Sequence, residues 1–195
     1  EAVRLFAAGC SPRRIDHLML DFGMPMGPFR LLDEVGLDIA GHAATSLFEA
    51  YGARMQPCTD LNAMRASDRM GRKTGRGFYV YPKGKKVRET LATDLAKFQS
   101  EKTADHLSDE EIVDRLVLSM LNEGVRALEE DVVASATELD LATVFGMGFA
   151  PFHGGLLHYA DRIGAEALVT RLERIADAPD VSTRPGGREK FQPAA

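Results

Sequence analysis

The chain has 195 residues, 45% hydrophobic and 27% charged, enough apolar content for a buried core and unlike a disordered or fibrous composition. Its formal net charge of −5 gives no overall attraction to nucleic acid. No apolar run reaches the roughly 18 residues of a membrane span. Two cysteines, Cys10 and Cys58, have no metal-ligand neighbours at usable spacing and point to a reduced, cytoplasmic setting.

Helical spacing dominates. Glu1-Ala2-Val3-Arg4-Leu5-Phe6 reads as the middle of a helix, so the sequence is expected to be a piece of a longer polypeptide with its first helix cut. Ser11-Pro12 pairs an N-cap with Pro at the first helical position and predicts a helix to about Leu20. A Gly/Pro loop follows. Pro28 opens a short helix that stops at Gly36, and another covers about Asp38 to Tyr51. Thr59-Asp60 caps the next, to about Met70. Gly71 to Gly77 is a Gly-rich turn leading into Phe78-Tyr79-Val80-Tyr81, which reads as extended chain. Residues 82 to 107 are polar, with one modest helix expected near Thr90 to Phe98.

Ser108-Asp109-Glu110-Glu111 is a capping box. The long amphipathic helix behind it turns Ile112, Val113, Leu116, Val117, Met120, Val125 and Leu128 inward. Ser135 with Glu138 predicts a second box and a helix ending at Phe145, followed by a loop from Gly146 to Pro151. Gly154-Gly155 precedes a helix toward Ile163, and the last helix spans about Ala165 to Ala176. The tail from Ala178 reads as irregular.

Phe22-Gly23-Met24-Pro25-Met26-Gly27-Pro28-Phe29 has a weaker echo in Phe145-Gly146-Met147-Gly148-Phe149-Ala150-Pro151-Phe152. Asp33-Glu34-Val35-Gly36 is matched by Asp161-Arg162-Ile163-Gly164, and Glu1-x-Val3-Arg4 by Glu123-x-Val125-Arg126. The order of parts is the same in both halves. An all-α chain of two tandem, duplicated helical units is expected, over residues 1–100 and 108–195, packed through their long first helices.

For Pro25-Met26-Gly27-Pro28, spacing alone favours a tight connector between helices. Arg69, Arg72, Lys73, Arg76, Lys83, Lys85, Lys86 and Arg88 form a stretch without an acid. It could meet coenzyme A phosphates or a partner, but a solvated loop is the favoured reading; its aromatics alternate as in a packed strand, which argues against nucleic acid. His17, His42, His106, His153 and His158 lack metal-site spacing and an evident carboxylate orienter, so surface or capping roles are expected, with no catalytic residue and no metal. Asp105, Asp109, Glu110, Glu111 and Asp114 read as charge favoured at a helix N-terminus.

The string Ile15-Asp16 through Phe22-Gly23-Met24-Pro25-Met26-Gly27-Pro28-Phe29-x-Leu31-x-Asp33-x-Val35-Gly36-Leu37-Asp38 resembles the C-terminal domain of 3-hydroxyacyl-CoA dehydrogenases, as does Lys73-Thr74-Gly75-Arg76-Gly77-Phe78-Tyr79. The second half, from Asn122-Glu123 through Leu128-Glu129-Glu130 to Phe152-His153-Gly154-Gly155, is similar to the degenerate repeat of multifunctional β-oxidation enzymes. The resemblance implies a helical fold like the C-terminal domain of 6-phosphogluconate dehydrogenase. It also implies an NAD-dependent oxidation of (3S)-3-hydroxyacyl-CoA to 3-oxoacyl-CoA. Pro25, Met26, Gly27 and Pro28 would then face the acyl-CoA substrate. NAD, the catalytic His and its Glu belong to a dinucleotide domain with no counterpart here, since no G-x-G-x-x-G stands between a strand and a helix. The family's catalytic Asn would fall ahead of Glu1, and Asp114 takes its place in the second copy. An enoyl-CoA hydratase domain and a thiolase subunit are implied companions. The other class of reading is a stand-alone helical interaction or oligomerisation module.

Overall fold

The computed structural model describes residues 1–58, 60–82, 90–99 and 106–177. The expected cap at Thr59, the irregular tail from Ala178, and Lys83, Lys85, Lys86, Arg88 and Asp105 lie outside the described residues. The fold is helical, as expected, with one small two-stranded sheet. The chain divides into two compact units, one of residues 2–17 and 26–106, the other of Glu1, 18–25 and 107–195.

In the first unit, α1 is Ala2–Ala7, and α2, Pro12–Phe22, contributes its residues up to His17. α3 is Pro28–Val35 and α4 is Leu37–Tyr51. Pro28 sets the first turn of α3 without losing a needed N–H, and Gly36, at φ 99°, ends α3 and begins α4 in a conformation that a side chain would resist. α5, Asp60–Ala66, stops short of the expected Met70, because the chain reverses through Asp68 at φ 57° and sends Arg69 into the interior. The core is a cluster of three rings, Phe6, Phe29 and Phe78, steeply inclined to one another with centroids 4.5–5.9 Å apart.

The helix expected near Thr90 to Phe98 does not form. Strand β1, Tyr79–Val80, pairs antiparallel with β2, Thr90–Leu91, with Tyr79 opposite Leu91. A 3-10 turn follows over Leu95–Phe98. Two long-range bonds outcompete local propensity here: the Ala92 N–H donates to the Phe78 carbonyl at 3.0 Å, and Asp94 pairs with the buried Arg69.

The second unit holds α6 (Asp109–Glu129), α7 (Ala136–Met147), α8 (Leu156–Ile163) and α9 (Ala165–Asp177). Ser108 and Glu111 cap α6 reciprocally, the expected box. Of the expected inner face, Ile112, Leu116 and Val117 are buried, joined by Leu118 and Leu121, while Val113, Met120, Val125 and Leu128 are half-buried. At α7 the box is incomplete: Ser135 accepts from the Glu138 N–H, but the Glu138 carboxylate accepts from Ala134 instead. α7 runs past Phe145 to Met147. Gly148, not Gly146, takes the left-handed conformation at φ 71°, and the Phe149 N–H closes the turn on the Thr143 carbonyl at 2.9 Å. The register of the Phe-Gly-Met echo is therefore not kept. Phe22 ends its helix half-buried, whereas Phe145 lies within a helix and is 83% exposed.

Candidate functional site

Two buried carboxylates organise the first unit. Asp16, on α2, accepts from the Phe29 N–H at 2.8 Å, the Arg30 N–H at 3.1 Å and the Tyr79 hydroxyl at 2.6 Å. It thus caps α3 from another helix, supplying acceptors for N–H groups that have no partner within α3. Asp33, on α3, accepts from the Phe78 N–H at 2.9 Å, the Tyr79 N–H at 2.8 Å and the Tyr81 hydroxyl at 3.0 Å. Burial pushes the Asp33 carboxyl above its ordinary value, opposed by those three donors, and Asp16 adds to the rise. Burial, with Asp33 beside it, likewise raises the Tyr81 phenol.

The glycines explain themselves against these acids. A Cβ on Gly27 would overlap the Asp16 carboxylate, and one on Gly77 would overlap that of Asp33. Gly27 is at φ −72°, so close approach and not backbone freedom demands glycine there. Gly27→Ala is expected to cost about 2–3 kcal/mol by displacing Asp16. Urea unfolding followed by circular dichroism measures it, and a cost within 0.5 kcal/mol of zero would mean that Asp16 moves freely.

The four sequence-predicted residues are disposed as follows. Gly27 is buried and Pro28 half-buried at the N-terminus of α3, and Met26 just ahead of it is 37% exposed. Pro25 is exposed, and in the second unit a Cβ on Gly148 would come within 2.8 Å of its ring. Asp16 and Asp33, quoted in the motif but assigned no role, are what hold the string 22–38 and the string 73–81 together. Their pairing with Gly27 and Gly77 was the signal available.

The basic stretch is not a free patch among its described members. Arg69 is buried and donates to the Gly77 carbonyl at 2.7 Å besides pairing with Asp94. Arg76 and Lys97 also pair with Asp94, at 2.7 and 3.1 Å, and Arg69 first among them holds that carboxyl far below the usual range. Arg72 pairs with Glu34 at 2.7 Å and Lys73 pairs with Asp38. Each described cation of the stretch is paired with an acid, Arg69 and Arg76 sharing Asp94.

The second unit repeats one device and lacks the other. Asp140, on α7, accepts from the Leu157 N–H at 2.7 Å and the His158 N–H at 3.2 Å, and a Cβ on Gly155 would overlap its carboxylate. Gly164 (φ 84°, ψ 146°) ends α8 much as Gly36 (φ 99°, ψ 133°) ends α3. The counterpart of Asp33, Asp161, is exposed. Asp114 does not sit at a solvated helix end: it is buried and paired with Arg171 at 3.0 Å and Arg174 at 2.6 Å of α9. His153 is not a surface or capping residue either. It packs against Phe22, Phe149, Phe152 and Tyr159.

Among the described residues no His, Cys, Asp and Glu cluster suits a metal. Among the described residues the strands are two residues long and antiparallel. No described helix is long and apolar enough to cross a membrane.

Residues 1–81 match the family model of the 3-hydroxyacyl-CoA dehydrogenase C-terminal domain. The match ends at Tyr81, the last residue bonded to Asp33. The chain is 39% identical to the fatty acid oxidation complex subunit alpha of Shewanella halifaxensis over 195 residues, which is 100% of this chain and 26% of that protein. It is 38% identical to the subunit of the same name from Vibrio cholerae, covering 99% of this chain and 28% of the relative. The chain thus spans about a quarter of the length of these relatives. Among solved structures, the dehydrogenase part of multifunctional enzyme 1 from C. elegans aligns with a TM-score of 0.51 and 26% identity, over 68% of this chain and 33% of that one. 3-Hydroxybutyryl-CoA dehydrogenase from Escherichia coli shares the fold, with a TM-score of 0.66 at 19% identity over 89% of this chain and 52% of its own. Over residues 1–81, which include the segments that Asp16 and Asp33 bind together, the chain is similar to the C-terminal domain of 3-hydroxyacyl-CoA dehydrogenases.

Proposed function

We propose that this chain is the substrate-facing, domain-pairing part of an NAD-dependent (3S)-3-hydroxyacyl-CoA dehydrogenase of fatty-acid β-oxidation. The observation that carries the reading is the loop at the start of α3. Its backbone is pinned by Asp16 through a glycine, while Met26 is left exposed as a pliable apolar contact. Pro25, Met26, Gly27 and Pro28 form one wall for the acyl chain in this reading. NAD and the catalytic His are carried by other parts of a multifunctional, cytoplasmic enzyme that also has hydratase activity and works with a thiolase subunit. The second unit is a diverged duplicate of the first, a view supported by the matching Asp–Gly caps at Gly27 and Gly155.

This chain alone is expected to form no NADH from (3S)-3-hydroxybutyryl-CoA. Put in place of the matching segment of the Shewanella halifaxensis subunit, it is expected to support NADH formation, and Met26→Asp is expected to lower kcat/KM about tenfold, near 1.4 kcal/mol of transition-state binding. A folded but silent chimera would overturn the reading. It would favour the second one, a helical interaction module, for which the exposed Leu31, Val35 and Ile39 on α3 and α4 speak.

A further inference from the structure

His153 closes a 3-10 turn, Pro151–His153, between α7 and α8. Its ring lies 4.7 Å from the Phe22 ring, 4.5 Å from Phe152, 4.7 Å from Tyr159 and 6.1 Å from Phe149, centroid to centroid. Its Nδ1 is shut off from solvent and has no hydrogen-bond partner. An imidazole among aromatic rings with one nitrogen unsatisfied is tolerable when neutral. Once protonated, Nδ1 becomes a solvent-excluded donor with no acceptor, which costs more than the unmet lone pair of the neutral ring.

We propose that His153 is a proton-sensitive latch on the segment Gly148–Gly155: neutral, it plugs the box of Phe22, Phe149, Phe152 and Tyr159, and protonated, it leaves the box and lets the segment open. The titratable and charged groups that face it are the Tyr159 phenol and the Arg162 guanidinium, both of α8. From α2 it meets the Phe22 ring and backbone. Desolvation lowers the His153 pKa, a backbone hydrogen bond with Phe22 opposes this, and Arg162 adds to the lowering. A depressed folded value means that the open segment takes the proton first. Closure is therefore complete above the ordinary histidine value near 6.5 and is lost as pH falls through it.

The test is amide hydrogen exchange on the whole chain between pH 7.5 and 5, corrected for intrinsic rates, together with a proton NMR titration of His153. The Phe149, His153 and Gly154 amides, bonded to Thr143, Ala150 and Pro151 carbonyls, report on the segment. Their protection is expected to fall by up to roughly tenfold per pH unit below 6.5, while Leu116 and Leu118 of α6 hold theirs. In His153→Gln the fall disappears. Equal pH profiles in both proteins, or a His153 ring titrating at or above the ordinary value, would overturn the proposal. The NMR titration of the unmodified chain decides it alone if the variant does not fold.

Discussion

Replacing Asp33 by alanine is expected to lower the unfolding free energy by about 3–4 kcal/mol. The carboxylate is 1% exposed and serves three donors, the Phe78 and Tyr79 N–H groups and the Tyr81 hydroxyl. Each buried donor left without an acceptor costs roughly 1–3 kcal/mol. The sum is offset in part because the buried charge itself is costly, as its raised pKa records. Asp33→Asn keeps one acceptor oxygen and removes the charge, so its cost is expected to be near 2 kcal/mol, about half that of alanine. Urea unfolding followed by circular dichroism separates the two. A loss below about 1 kcal/mol for Asp33→Ala would mean that water or a shifted strand replaces the carboxylate.

The second large effect is expected at Asp16. Asp16→Ala strips the cap from α3 and leaves the Tyr79 hydroxyl buried without its acceptor, for a loss of about 3 kcal/mol. The same change at Asp140 removes the corresponding cap of α8, but the His158 end of that cap is exposed, so about 1 kcal/mol is expected. Tyr79→Phe should cost less in an Asp16→Ala background than in the native chain, by about 1 kcal/mol, because both changes break one 2.6 Å bond. Strict additivity of the pair, or equal costs at Asp16 and Asp140, would remove the claim that burial and the Tyr79 bond set the first cap apart.

Local chemistry was readable in the sequence. Pro28 and Gly36 mark the two ends of α3, Ser108 and Glu111 mark the start of α6, and Gly164 marks the stop of α8, because each acts within a turn of itself. The same locality misled at Phe145-Gly146-Met147, where two glycines stand within one turn and only Gly148 carries the positive φ. It misled again at Thr90, where helical spacing lost to strand partners ten and twelve residues back, Thr90 facing Val80 and Leu91 facing Tyr79. The strings at 22–38 and 73–81 stood out individually. That they are one assembly did not, since Asp33 and Asp16 find their partners in the second string 45 to 63 residues away. Buried Asp114 and boxed His153 were missed for the same reason: one is defined by α9, the other by α2 and α8.

Those long separations bear on how the first unit comes into being. A growing chain that has emerged only through α5 carries Asp33 with none of its three donors, and Asp16 with the α3 amides but without the Tyr79 hydroxyl. Asp33 cannot leave water until the segment ending in Tyr81 arrives. Until then α1 to α5 stay a loose, exchanging collection, and closure comes late and in a single step. Truncation after Ala66 should yield a polypeptide that binds a hydrophobic dye and shows rapid amide exchange throughout, whereas one extended past Phe98 should not.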